Sequence, residues 1–136
     1  KAAFADMPAD RVRFAGGVTP AELPELYAAA DLMVWPAMNE AYGMAMLEAQ
    51  ATGLPVVAGE TGGVPDIVRH GETGLLCPEG DAGTFAAAVG ELLATPDRRL
   101  AYSAKALART AVEHDISSAA GRLDRVLHQT GKVRAA

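Results

Sequence analysis

Short apolar runs, each closed by Pro or Gly and separated by stretches of helical spacing, constrain this chain more than any other feature. They are Asp31–Pro36 (DLMVWP), Leu54–Gly59 (LPVVAG) and the shorter Gly74–Pro78 (GLLCP). The first two are nearly apolar throughout rather than alternating, the pattern of strands buried on both faces of a parallel sheet. Parallel neighbours cannot be joined by a tight turn and need a crossover, usually a helix. A further segment, Arg11–Phe14 (RVRF), is short, β-prone and alternating, and is stopped by Gly16–Gly17. It reads as another strand.

The intervening segments read as helices. Thr19 offers a cap, Pro20 suits the first helical position and Glu22 can close a capping box. Leu23, Leu26, Tyr27 and Ala30 then recur at helical spacing, although Pro24 delays the regular helix. A second helix is expected from about Met44 to a stop at Gly53, and a short one near Val64–His70. Asp81 can cap a helix through Ala94. Thr95 and Pro96 restart one towards Glu113. Asp115 or Ser117 begins a last one that ends near Gly131, with Ile116, Ala120, Leu123, Val126 and Leu127 on one stripe. The expected fold is therefore α/β: a Rossmann-like three-layer domain around a mostly parallel sheet of about four strands, in one unit spanning residues 1–136. A doubly wound domain usually has more strands, and the first residue is Lys, so a piece of a longer chain with an earlier strand is expected.

Composition narrows the function. Half of the 136 residues are hydrophobic and 21% are charged, enough apolar mass for a core. The net charge of -5 argues against nucleic acid, whose binders need a basic face. A lone Cys77 makes no internal disulfide, and three scattered histidines make no zinc site. Cys77 reads as a buried structural thiol. His70 and His114 read as helix C-terminal residues, and His128 as part of a polar helix face. No apolar run approaches the ~18 residues of a membrane span, and the opening stretch is too polar for a signal peptide, so the expected compartment is the reducing cytoplasm.

Ligands of open parallel sheets bind beyond the carboxyl ends of the strands. Two loops lie there, Ala37–Gly43 and Gly59–Pro65. Gly43 stands at the mouth of the helix from Met44, where free backbone N–H groups suit a phosphate or sugar hydroxyls, and its missing side chain would leave room for approach. Glu48 lies one turn on from Met44, so both can face one crevice. A carboxylate there is suited to the vicinal diol of a ribose, and Glu40, before the helix, can reach a different part of the same ligand. Each feature has a plainer reading. A lone helical Glu is usually solvated, a Gly at a helix start is ordinary turn chemistry, and Trp35 in a strand is more often core than a stacking platform. Yet Glu48 is flanked by Met46, Leu47, Ala49 and Ala51, and a charge buried in so apolar a helix needs a partner or a function. Gly62–Gly63 either form a simple turn or let backbone come close to a bound group.

The stretch NEAYGMAMLEAQATGLPVVA resembles the signature of the retaining glycosyltransferases of family 4, which have the GT-B fold. The pattern is E-x7-E, here Glu40 and Glu48, followed by Gly, Pro and a β run. RVRFAGGVTPAELPELYAAADLMVWPA before it, and GGVPD and GETGLL after it, are also similar to that family, in order, over nearly the whole chain. The resemblance implies the C-terminal, donor-binding half of a two-domain enzyme that transfers a hexose from a nucleoside diphosphate sugar with retention. It implies that Glu48 binds the ribose hydroxyls, that Glu40, the catalytic candidate, binds donor-sugar hydroxyls rather than acting as a nucleophile, and that the backbone of Tyr42, Gly43 and Met44 approaches the sugar and the diphosphate. It implies no metal or other cofactor. The acceptor, a glycan or a lipid-linked alcohol, would bind an N-terminal domain outside this chain, with peripheral membrane contact open to the intact enzyme and no activity in the fragment alone. Two departures stand out: Asp66 where relatives often have Glu, and no evident Arg/Lys pair to neutralise the departing diphosphate, since Lys1 is terminal and Arg11 and Arg13 fall in a strand. The alternatives are a non-catalytic flavodoxin-like binding or signalling module, and a sugar phosphorylase or synthase on the same fold.

Overall fold

The computed structural model describes residues 4, 6–8 and 10–133, the last three by backbone alone. Three parallel strands form the sheet in the order β1 (Met33–Trp35), β2 (Val56–Glu60) and β3 (Gly74–Pro78). Among the described residues six helices accompany them: α1 (Leu23–Ala28), α2 (Met44–Ala51), α3 (Val64–Ile67), α4 (Ala82–Ala94), α5 (Pro96–Glu113) and α6 (Ile116–Val133).

Strand alternation builds the layers. In β2, Val56 and Ala58 face one side and pack with Met46 and Ala49 of α2 and with Val64 and Ile67 of α3. Val57 faces the other side, with Leu75 and Cys77 of β3, Ala88 and Leu92 of α4 and Tyr102 of α5. The sheet is thus enclosed by helices on both faces, as the uninterrupted apolar run of β2 requires. Both crossovers, through α2 and α3, lie on the first face. Close approach is built in with glycine. A Cβ on Gly59 would stand 2.0 Å from the Pro36 carbonyl oxygen, and one on Gly74 2.0 Å from that of Val56.

The structure corrects the sequence expectation in several places. Arg11–Phe14 is not a strand, so among the described residues three strands stand where about four were expected. Arg11, Arg13 and Phe14 are exposed, and no ladder holds this segment to the sheet; β-propensity expresses fit to a half-buried pleated surface, and here there is none. The run Asp31–Pro36 is not buried on both faces either. β1 has β2 on one side and no described strand on the other, which leaves Val34 and Trp35 exposed. His70 lies beyond the end of α3, not on a helix; its Nδ1 accepts the Leu76 N–H at 3.0 Å. Lys1 lies outside the described residues.

Other local readings hold. The regular α1 begins only at Leu23, with Glu22 accepting the Thr19 N–H at 3.0 Å and its hydroxyl at 2.6 Å. α2 ends before Gly53, whose φ is +80°. Asp115 accepts the Ser118 N–H at the start of α6. Cys77 is buried and unbonded to another cysteine, and burial, followed by the nearby Asp81 charge, pushes its thiol up, away from nucleophile behaviour. The apolar stripe of α6 is exposed at Ile116, Leu123, Val126 and Leu127. No helix among the described residues is long and apolar enough to cross a membrane.

Asp81 caps α4 as its sequence position suggests, accepting the Thr84 hydroxyl at 2.7 Å and its N–H at 3.0 Å. These bonds, the hydroxyl first, hold its carboxyl below the ordinary 3.8. A carboxyl depressed in the folded state contributes stability above its unfolded value and loses it as pH falls through the folded value. Asp81→Ala is therefore expected to lower the melting temperature at neutral pH, and the gap from the unmodified chain is expected to shrink once pH is taken below 3.8. A gap that stays constant in a thermal melt series down to acid pH contradicts the capping role.

Candidate functional site

The two loops at the carboxyl end of the sheet are one construction. Gly62 has a left-handed φ of +52°, and a Cβ there would lie 2.3 Å from the Glu40 carbonyl oxygen. A Cβ on Gly63 would stand 3.0 Å from the Ala41 carbonyl oxygen and 3.1 Å from the Tyr42 ring. The Gly63 N–H donates to that Ala41 oxygen at 3.0 Å. The two glycines form the turn read from the sequence, closed by the Val64 N–H donating to the Thr61 carbonyl at 3.1 Å, and the same missing Cβ atoms admit the neighbouring loop. The second loop is anchored from behind by Arg109 of α5, whose guanidinium donates to the carbonyls of Asp66 and Ile67 at the end of α3.

The first loop is held in a conformation that L-residues seldom adopt. Ala37 has φ +53° and Asn39 φ +55°. Glu79, in the loop after β3, accepts the Asn39 N–H at 3.1 Å and so ties the first loop to the third strand. Sequence reading missed Glu79, because a contact across forty positions leaves no local pattern.

Glu40 is the centre of this loop. Its Oε1 accepts the Gly43 N–H at 3.0 Å and the Tyr42 N–H at 3.4 Å, and its Oε2 accepts the indole N–H of Trp35 at 3.3 Å. The carboxylate thus sits at the positive end of α2, where an anion is favoured. Trp35 is not core; it is a strand-end donor to this carboxylate. Gly43 is the N-cap of α2 with φ +97°, and its missing Cβ would point at Met46 and Val64. The glycine there answers to the backbone angle and to inward packing, not to room for a ligand. The N–H groups of Met44 and Ala45, next along the helix, have no acceptor among the described residues.

Glu48 is exposed. The argument that a charge buried in so apolar a helix needs a partner or a function therefore does not apply: Met46, Ala49 and Gln50 carry the buried face of α2, and Met44, Glu48 and Ala51 fall on the opposite, exposed stripe. Glu48 and Met44 do share that face, about 6 Å apart along the axis. Glu48 lines a groove of about 380 Å³ with Pro20, Leu23, Pro24 and Tyr27 from the α1 region. Burial, and then the Glu48 charge, push the Tyr27 hydroxyl up. The structure thus brings Glu40, Tyr42 and Gly43 into direct contact and leaves Glu48 one turn away, with no bond to them. Among the described residues no group of three or more His, Cys, Asp or Glu is arranged to hold a metal. Arg98, Arg99, Arg109 and Arg122 bond to partners outside residues 37–43 and 60–63.

If Glu79 holds the strained loop, Glu79→Ala should speed exchange of the Asn39 amide hydrogen roughly fivefold, the loss of one charge-assisted hydrogen bond, while Glu79→Gln should do so less. Unchanged exchange in both variants removes Glu79 from this role.

The chain is 44% identical over 118 residues to a D-inositol 3-phosphate glycosyltransferase of Thermobispora bispora, covering 87% of the chain and 27% of that protein. It superposes on sucrose-phosphate synthase from Thermosynechococcus elongatus with TM-score 0.85 and 31% identity, covering 92% of the chain and 31% of that structure. It superposes on Anabaena HepE in complex with UDP-glucose with TM-score 0.79 and 26% identity, covering 89% of the chain and 33% of that structure. The chain therefore spans about a quarter to a third of these three proteins. Its architecture is that of part of a GT-B glycosyltransferase. The family described as glycosyl transferases group 1 matches residues 4–109, and the chain belongs to it.

Proposed function

We propose that residues 1–136 are most of the donor-binding, C-terminal domain, without its first strand or strands, of a retaining hexosyltransferase that uses a nucleoside diphosphate sugar. The observation that carries this reading is the pairing of a helix start lined by Glu40, Tyr42 and Gly43 with an exposed carboxylate, Glu48, one turn along the same helix. Glu48 accepts hydrogen bonds from the two ribose hydroxyls, beside the groove formed with Pro20, Leu23 and Tyr27. The Met44 and Ala45 N–H groups and the dipole of α2 meet the diphosphate. Glu40 accepts from donor-sugar hydroxyls. Family membership and the UDP-glucose held by the HepE relative support this assignment.

In the intact enzyme, the bond between the anomeric carbon and the diphosphate oxygen breaks. The acceptor oxygen bonds to the same face of the sugar, and the acceptor proton leaves with the diphosphate. Positioning and electrostatic support of the leaving group supply the rate. No metal is invoked. Glu40 has its carboxylate turned to the helix start and Trp35, which supports a binding role over a nucleophilic one. The acceptor, a glycan or a lipid-linked alcohol, sits on a second domain, and the enzyme works in the cytoplasm, in peripheral contact with a membrane where its acceptor is lipid-borne. The fragment alone does not transfer.

Calorimetric titration with UDP and with GDP tests the ribose assignment. One of them should bind the unmodified chain, and Glu48→Gln should weaken it roughly tenfold, since the amide keeps one acceptor oxygen and loses the charge. Equal binding by both proteins overturns the assignment. Incubation of the chain with UDP- and GDP-sugars should give no transfer or hydrolysis, and clear turnover refutes the division of labour between two domains.

A further inference from the structure

The two oxygens of the Glu40 carboxylate face different donors. Oε1 meets the backbone N–H groups of Tyr42 and Gly43, and Oε2 meets the indole N–H of Trp35 at 3.3 Å. The backbone pair belongs to the helix start, where an anionic ligand competes for it. The indole belongs to β1, which is fixed in the sheet by its ladder to β2. A glutamate side chain has three rotatable bonds, so a carboxylate with no second anchor must be ordered each time a ligand binds. A partner on a strand orders it in advance more sharply than one on a loop. Trp35 is also 39% exposed at the end of an apolar strand, which burial alone does not explain.

We propose that Trp35 is a positioning residue for the donor sugar: its indole N–H, held by β1, fixes the Glu40 carboxylate so that Oε1 stays aimed at the sugar hydroxyls when the ligand takes the Tyr42 and Gly43 N–H groups. This rests on the donor-binding reading above and deepens it. Phenylalanine in place of Trp35 keeps the aromatic body and removes the one ring donor. Because Glu40 serves the sugar and not the nucleotide, loss of its anchor falls on the sugar-bearing ligand.

The test compares UDP-glucose with UDP, and GDP-mannose with GDP, on the unmodified chain, Trp35→Phe, Glu40→Ala and the double variant. Trp35→Phe should weaken the nucleotide sugar relative to its bare nucleotide roughly fivefold, and in the Glu40→Ala background it should add nothing. Equal weakening of both ligands, no change, or full additivity in the double variant overturns the proposal. Failure of the unmodified chain to bind any of the four overturns the donor reading beneath it, a separate result. A second readout does not depend on Trp35→Phe folding. The chain holds a single tryptophan, so its indole N–H gives one proton resonance. Glu40→Ala should shift that signal upfield and speed its exchange with water, and a signal that does not move overturns the Trp35–Glu40 link.

Discussion

The site depends on two backbones touching. Gly62 and Gly63 have no Cβ in the place where one would meet the carbonyl oxygens of Glu40 and Ala41, and the Gly63 N–H closes the gap with a hydrogen bond. Without that contact the loop after β1 would have little to fix it, since it carries left-handed angles at Ala37 and Asn39 that cost energy unless their surroundings enforce them. Glu79 adds a third support from β3, and Arg109 secures the far end of the glycine loop through α3. The loops after β2 and β3 thus both hold the loop after β1, which carries Glu40. The fold places these loops together because parallel strands end on the same edge of the sheet.

Glu40 already occupies part of the helix N-terminus, which sets the energetics of ligand capture there. At the Tyr42 and Gly43 N–H groups an incoming anion exchanges with a carboxylate instead of filling unsatisfied donors, so the gain there is the difference between two sets of charge-assisted hydrogen bonds. The N–H groups of Met44 and Ala45 stay open beside it. A helix start with both occupied and open donors suits a ligand that brings a charged group and hydroxyls together, since the carboxylate, once the ligand takes its N–H donors, can accept from the hydroxyls.

Much of this was legible in the chain. The apolar runs located all three strands, and Gly53, Asp81 and Asp115 marked helix ends where the structure has them. These are local signals, written within a turn or a pleat. The failures were of context. Arg11–Phe14 has strand composition but no neighbour to pair with. Trp35 sits in an apolar run, yet β1 has a described partner on one side only, so the indole turns to Glu40. Glu48 stands between apolar residues, but its neighbours in sequence point to other sides of the helix, and the exposed stripe it belongs to comes from residues three and four apart. The E-x7-E spacing named the two carboxylates without revealing that one accepts the backbone N–H groups of Tyr42 and Gly43 just before α2. Glu79 and Arg109 act across about forty residues and could be found only once the chain had folded.

Crystals of the chain grown with UDP-glucose or GDP-mannose give the most direct view of the central claim. The account predicts electron density for the ribose with both hydroxyls within hydrogen-bond distance of Glu48, and for the hexose beside Glu40 at the mouth of α2. Nucleotide density in any other cleft, with Glu48 facing bulk water, contradicts it.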